Sequence, residues 1–230
     1  MRHFVVPLLL VFLTGCQAPS GSHTKEAETP VVDLVNAKAT PETRSLFAYL
    51  RQVAPEAILF GHQHETTQGL TIEVADGDES DTLHSVGDFA AVYGWDTLGI
   101  IPPAREGMVT EHARKAYARG GIITVSTHFN NPVTFDLLGS GEYDRAGTSW
   151  DKTPAVAASL PGGPAHARFR SWLDHLADWA LELKDDSGTP IPVILRLFHE
   201  HNGSWFWWGK NHCTPEEYKA LFRYTVDYLT

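Results

Sequence analysis

One stretch limits what this chain can fold into more than any other: residues 192–210, PVILRLFHEHNGSWFWWGK. Its first half is an apolar run, Val193, Ile194 and Leu195, opened by Pro192. Such a run reads as a strand buried on both faces. It turns polar within a few residues, through Arg196, His199, Glu200, His201 and Asn202, and then reaches a cluster of rings, Trp205, Phe206, Trp207 and Trp208. Buried polar groups must find partners, so a plain core segment suits this interleaving poorly. A buried strand ending in a carboxylate, histidines and indoles suits a site at the C-terminal mouth of a parallel sheet.

The residue types fit sugar chemistry. Cleaving a glycosidic bond takes a carboxyl group, held protonated by its surroundings, that gives its proton to the leaving oxygen. Glu200 stands beside rings expected to exclude water from it. Flat indole faces suit the C–H faces of pyranose rings, while Asn202 and the histidines can bond hydroxyls. The segment RLFHEHNGSWFWWGK resembles the acid/base strand of glycoside hydrolase family 26, the β-mannanases, which are retaining (β/α)8-barrel enzymes. The resemblance implies that Glu200 is the general acid/base. It implies that His199 partners that carboxylate or the catalytic nucleophile, and that Trp205 lines the sugar subsites. Leu197 stands where the family often has Pro, a change in local stiffness and not in chemistry.

Taken in order, residues 1–15 carry a short basic start and an apolar core, Phe4 to Leu13, too short to span a bilayer. The run Leu13-Thr14-Gly15-Cys16 resembles a bacterial lipobox, which implies cleavage before Cys16, lipidation of that cysteine, and export to the cell envelope, at the outer membrane since Gln17 follows. An ordinary signal peptide with an incidental cysteine is the plainer reading. Residues 16–40 are rich in Ser, Gly, Thr, Pro, Ala and Glu and read as a flexible tether. The catalytic barrel is expected over 41–230.

Pro41 to Val53 reads as a helix capped by Thr40. Ala57 to Gly61 reads as a short buried strand followed by His62, Gln63 and His64. A second strand is centred on Phe89 to Tyr93 within VGDFAAVYGWD, residues 86–96. Glu106 follows in a loop over the mouth, where it either meets substrate or serves as a charge at a helix N-terminus. A helix then runs from Val109 to Arg119, and Ile122 to Ser126 is the third strand. His128, followed by Asn131-Pro132, resembles the family's third-strand motif, which implies a substrate-binding or nucleophile-orienting role. The loop from Phe135 to Pro164 is long, and long loops in compact domains are usually functional. Its Trp150 resembles a family Trp near the aglycone side. Ala165 to Lys184 has the spacing of an amphipathic helix, and Thr214 caps a last helix running to Leu229.

These elements make a strand–helix pair repeated four times, about half of an eightfold barrel. A retaining glycosidase needs two carboxylates about 5–5.5 Å apart. In the family the second lies on the seventh strand, so the nucleophile is expected beyond residue 230, and the 230-residue chain is expected to hydrolyse nothing by itself. The expected partner of the whole protein is β-mannan or a related β-1,4-glycan, with no cofactor. The formal net charge of −10 argues against nucleic acid; membrane attachment is expected only through the lipid. Two rival readings stand. One is a surface lipoprotein that binds glycan without cleaving it. The other is a zinc hydrolase using His199, His201, His212 and Cys213, although their spacing matches no standard site. A serine hydrolase is disfavoured by the lack of a G-x-S-x-G elbow.

Overall fold

The computed structural model describes residues 34–101 and 108–230. The leader, Cys16, the first part of the tether and Glu106 lie outside the described residues. Parallel strands β1 (Gly61–Gln63), β2 (Val92–Asp96), β3 (Ile122–Ser126) and β4 (Val193–Arg196) lie side by side in sequence order. Parallel neighbours need a crossover, usually helical. Helices α2 (Asp81–Val86), α3 (Met108–Ala118) and the pair α4 (Val156–Ser159) and α5 (His166–Glu182) supply the three crossovers, while α1 (Pro41–Val53) precedes β1 and α6 (Pro215–Leu229) follows β4. Successive β/α units in unbroken strand order are the repeat of the (β/α)8 barrel.

Helix ends follow local chemistry. Thr40 and Thr214 each accept a backbone N–H three residues on, with Pro at the first helical position. At Thr214 the Glu217 carboxylate returns a bond to the cap backbone, a complete capping box. The α1 stripe is only half-buried, with Phe47 exposed.

Side chains alternate between the two faces of the sheet. Tyr93, Trp95, Ile123 and Val125 are buried on one face with Val109 and Ala113 of α3 and Phe169, Leu173 and Leu176 of α5 in a single core. The other face carries Gln63, Gly94, Asp96, Thr124, Ser126, Ile194 and Arg196, and register places Asp96, Ser126 and Arg196 side by side at the C-terminal ends.

Three sequence expectations need correction. The first strand lies at Gly61–Gln63, and the apolar residues before it stand outward, Ile58 at 98% exposure and Phe60 at 60%. The second strand begins at Val92, because the Ala90 N–H is taken by the Glu65 carboxylate (2.9 Å) and the Phe89 N–H by Asp88 (2.8 Å). The fourth strand is buried on one face only: Val193 and Leu195 pack on the core, while Ile194 on the opposite face is 36% exposed.

The ring cluster after β4 is divided in its duties. Trp207 and Trp208 are fully buried, packed edge-to-face on each other and on Phe198. The Trp207 indole also donates to the Phe129 carbonyl (2.9 Å). Trp205 is 37% exposed. Truncating a buried Trp removes apolar burial and leaves a cavity, so Trp207→Ala is expected to lower unfolding free energy by about 3–5 kcal/mol. Trp205→Ala should change it by under about 1 kcal/mol. Urea titration of the two variants beside wild type checks the contrast.

Candidate active site

Beyond Arg196 the chain turns sharply across the C-terminal end of the sheet. Phe198 (φ 42°) and Glu200 (φ 57°) both take the left-handed conformation, and neither is glycine. Each such residue costs on the order of 1–3 kcal/mol and persists only where its surroundings over-determine it. Here they do. The Phe198 N–H donates to Thr127 Oγ1 (2.9 Å), and the Tyr218 hydroxyl donates to the Phe198 carbonyl (3.1 Å). The Trp208 indole donates to the His199 carbonyl (2.9 Å). The Gly203 N–H reaches the Glu200 carbonyl (2.9 Å) and the Lys210 N–H the His201 carbonyl (2.7 Å). Thr127 just past β3, Tyr218 of α6 and the loop itself thus fix the direction in which Glu200 leaves the backbone.

The Glu200 side chain is exposed. Its Oε2 accepts the Trp205 indole N–H at 2.8 Å. This indole folds back over the chain at Gly203, where a Cβ would stand 2.3 Å from two ring carbons. Gly203 is needed there for close approach. The expectation that indoles would shield Glu200 from water is therefore corrected: Trp207 and Trp208 turn into the core, and only Trp205 meets the carboxylate, by its N–H.

His199 is buried beneath Glu200, at 8% exposure. Its Nε2 lies 3.1 Å from His128 Nε2, and the two rings meet edge-on with centroids 4.4 Å apart. His128 Nδ1 lies 2.6 Å from Asp96 Oδ2. That carboxylate also accepts Ser126 Oγ at 2.7 Å and the Leu98 N–H at 3.0 Å. Burial pushes the Asp96 carboxyl up, but its bonds from His128, Leu98 and Ser126 outweigh this and hold it below the usual carboxylate range. Burial, helped by the positive fields of His128 and Arg196, lowers His199 to about 4, so it is neutral at pH 7. His64, at the end of β1, is also lowered by burial and lies within the fields of Asp96 and His128.

Phe206 joins this chain to the long loop. Its ring contacts His128, His199 and Trp150, with centroids 5.1, 5.5 and 5.2 Å away, and stacks on Trp208. Trp150 is exposed and carries the Arg145 guanidinium 4.8 Å from its ring centre. An open cleft of about 540 Å³ lies against Trp150, between Tyr143, Arg145 and Lys152. The loop that presents Trp150 is organised by its neighbour Asp151. This buried carboxylate accepts from Thr134 Oγ1 (2.5 Å), the Tyr143 hydroxyl, and the Gly147 and Thr153 N–H groups (both 3.0 Å). Burial opposes its ionisation, but these four donors hold it well below the usual carboxylate range.

The structure thus gathers Glu200, His199, His128 and Trp205 into one cluster, adds Trp150 through Phe206, and leaves Asn202 exposed two residues past the acid. Glu106 and Cys16 lie outside the described residues. The zinc reading is overturned: His201 stacks on Tyr218, His212 bonds the Ser204 carbonyl and Cys213 faces the Trp208 carbonyl. Among the described residues no three His, Cys, Asp or Glu side chains converge as a metal site. The sequence assigns no role to Asp96 or Tyr218, and to Phe206 only a place in the ring cluster. The available hint for Asp96 was a carboxylate closing a strand next to one that ends in Ser and His.

A profile of Glycosyl hydrolase family 26 matches residues 35–230. Mannan endo-1,4-beta-mannosidase of Bifidobacterium adolescentis is 36% identical over 210 residues, covering 86% of this chain and 20% of that protein. Among solved structures, a modular endo-beta-1,4-mannanase from Cellulomonas fimi is similar with a TM-score of 0.78 at 43% identity, covering 86% of this chain and 44% of that one. The catalytic domain of an endo-beta-1,4-mannanase from Bacillus sp. JAMB-750 is similar with a TM-score of 0.80 at 40% identity, covering 89% of this chain and 54% of that one. The chain therefore spans a fifth of that curated relative and about half of these two solved chains.

Because the folded state holds His199 at about 4 against an ordinary 6.5, the unfolded chain takes up this proton first as pH falls. The contribution to stability is full above about 6.5 and is lost as pH drops toward 4. Denaturant midpoints measured across this window should fall with pH in wild type. The His199→Gln variant should show a shallower slope.

Proposed function

The chain belongs to glycosyl hydrolase family 26, and on that premise we propose that the protein it forms part of cleaves β-1,4-mannosidic bonds by a retaining double displacement. Glu200 protonates the glycosidic oxygen as the bond to the sugar breaks, and then, as a carboxylate, takes a proton from the water that releases the glycosyl-enzyme. Trp205, Trp150, His128, Asn202 and Glu106 are assigned to binding the sugar. The observation that carries this reading is the exposed Glu200 carboxylate at the C-terminal end of β4, fixed by one indole N–H on Oε2. Among the described residues no donor occupies Oε1, which is left for the substrate.

A retaining mechanism also needs a nucleophilic carboxylate about 5–5.5 Å from the acid. Three buried carboxylates among the described residues, Glu65, Asp96 and Asp151, are already engaged by donors of their own segments and neighbours. Glu65 accepts from the Ala90 N–H and Thr82 Oγ1 and has His62 Nδ1 2.8 Å from its Oε2, while Asp96 and Asp151 hold three and four donors. A carboxylate so bonded is a poor nucleophile, so the second acid is assigned to none of them.

In the full-length protein, Glu200→Ala should reduce hydrolysis of mannan by several orders of magnitude. The first, glycosylation step on aryl β-mannosides with good leaving groups needs no proton donor and should be largely spared. Equal loss on both substrates would sink the acid/base assignment. We also propose that the protein is held at the cell envelope by lipid on Cys16, with residues 16–40 as the tether. Cells given labelled palmitate should label wild-type protein and leave Cys16→Ala unlabelled; unlabelled wild type would refute the anchor.

A further inference from the structure

His199 Nδ1 is buried and, among the described residues, has no polar partner. Its other nitrogen faces His128, which faces Asp96 in turn. A single proton can sit between two imidazole Nε2 atoms at 3.1 Å. An ionised carboxylate only accepts, so His128 must donate its Nδ1–H to Asp96. Among the described residues the remaining protons then follow. With the pair neutral, His128 Nε2 is bare, His199 donates its Nε2–H, and His199 Nδ1 is an acceptor. With one further proton, His128 becomes an imidazolium against Asp96, its Nε2–H donates to His199, and His199 Nδ1 carries a hydrogen.

We propose that Asp96 is a positioning residue that sets the tautomer of the His128–His199 pair and makes His199 Nδ1 alternate between proton acceptor and proton donor. The transfer balances. A proton arriving at His199 Nδ1 releases the Nε2 proton to His128 Nε2, and the positive charge rests beside the Asp96 carboxylate while His199 stays neutral. Return reverses both moves. The groups that face the pair agree with this placement. His199 has Arg196 and Glu200 on its own segment, with His128 and Asp96 across from it; Asp96 and His128 have His64 from the end of β1. Burial and the cations disfavour charge on His199, whereas His128 is 28% exposed and paired with a carboxylate. The inference rests on the catalytic reading of the Glu200 segment for its use, but not for its test.

Nitrogen-15 spectra of full-length protein labelled at histidine read each tautomer directly. Wild type at alkaline pH should show His199 protonated at Nε2 and His128 at Nδ1. On acidification, His128 should gain its second proton in the same step in which His199 switches to Nδ1–H. The isosteric Asp96→Asn variant should lose that coupled step and keep His199 in the Nε2–H form into acid. Its kcat on mannan should fall about tenfold to a hundredfold, as expected for misplacement of a group behind the acid. His199 carrying Nδ1–H at alkaline pH in wild type would overturn the proposal even if the variant fails to fold. So would an unchanged coupled step in Asp96→Asn. Because these signals do not depend on sugar chemistry, failure of the Glu200 assignment and failure of the relay are separately visible.

Discussion

The bend at residues 198–200 is the constraint on which the site depends. Two bulky residues, Phe198 and Glu200, hold a left-handed backbone on either side of His199, at a combined cost on the order of 2–6 kcal/mol. No glycine relieves it. What offsets it is burial of Phe198, Trp207 and Trp208, together with side-chain bonds from Thr127, Tyr218 and Trp208 to the bent peptide groups. The result is a side-chain inversion within three residues: Phe198 points into the core, His199 lies beneath the surface, and Glu200 emerges on it.

Carboxylates around this bend fall into two kinds by the number of donors they hold. Glu65, Asp96 and Asp151 are buried and each holds two or more donors, and each shapes a segment: the turn after β1, the ends of β2 and β3, and the Trp150 loop. Glu200 is exposed and holds one indole N–H. A group with spare lone pairs in solvent can exchange protons with a ligand, while a saturated buried one organises its neighbours. The same division applies to the histidines. His199 and His128 stand in series behind the exposed acid, and His62, on the core face of β1, lies 2.8 Å from Glu65 instead.

Much of the architecture was legible because local signals agreed. The Ile122–Ser126 strand and the Pro215–Leu229 helix lie where apolar run, cap and proline place them. The β4 segment was readable as a site because polar residues interrupt an apolar run. The first two strands lie later than their apolar residues suggest, since pairing is set by which backbone groups are free. The N–H groups of Phe89 and Ala90 are spent on side chains, and Ile58 and Phe60 stand outward. Shielding of Glu200 is not legible in composition, which cannot say which indole turns inward. The role of Asp96 was hidden for a different reason. It arises from the register of β2 on β3, which places three residues far apart in the chain at one level.

The phenol of Tyr218 lies twenty residues downstream of the carbonyl it holds. During synthesis the acid's segment leaves the ribosome while its brace is still inside the exit tunnel. Until α6 folds down, the Phe198 carbonyl must make do with water, and the sharp bend beside it is unsupported on that side. The bend that aims the acid is therefore braced late, from behind, by a helix that follows it in the chain.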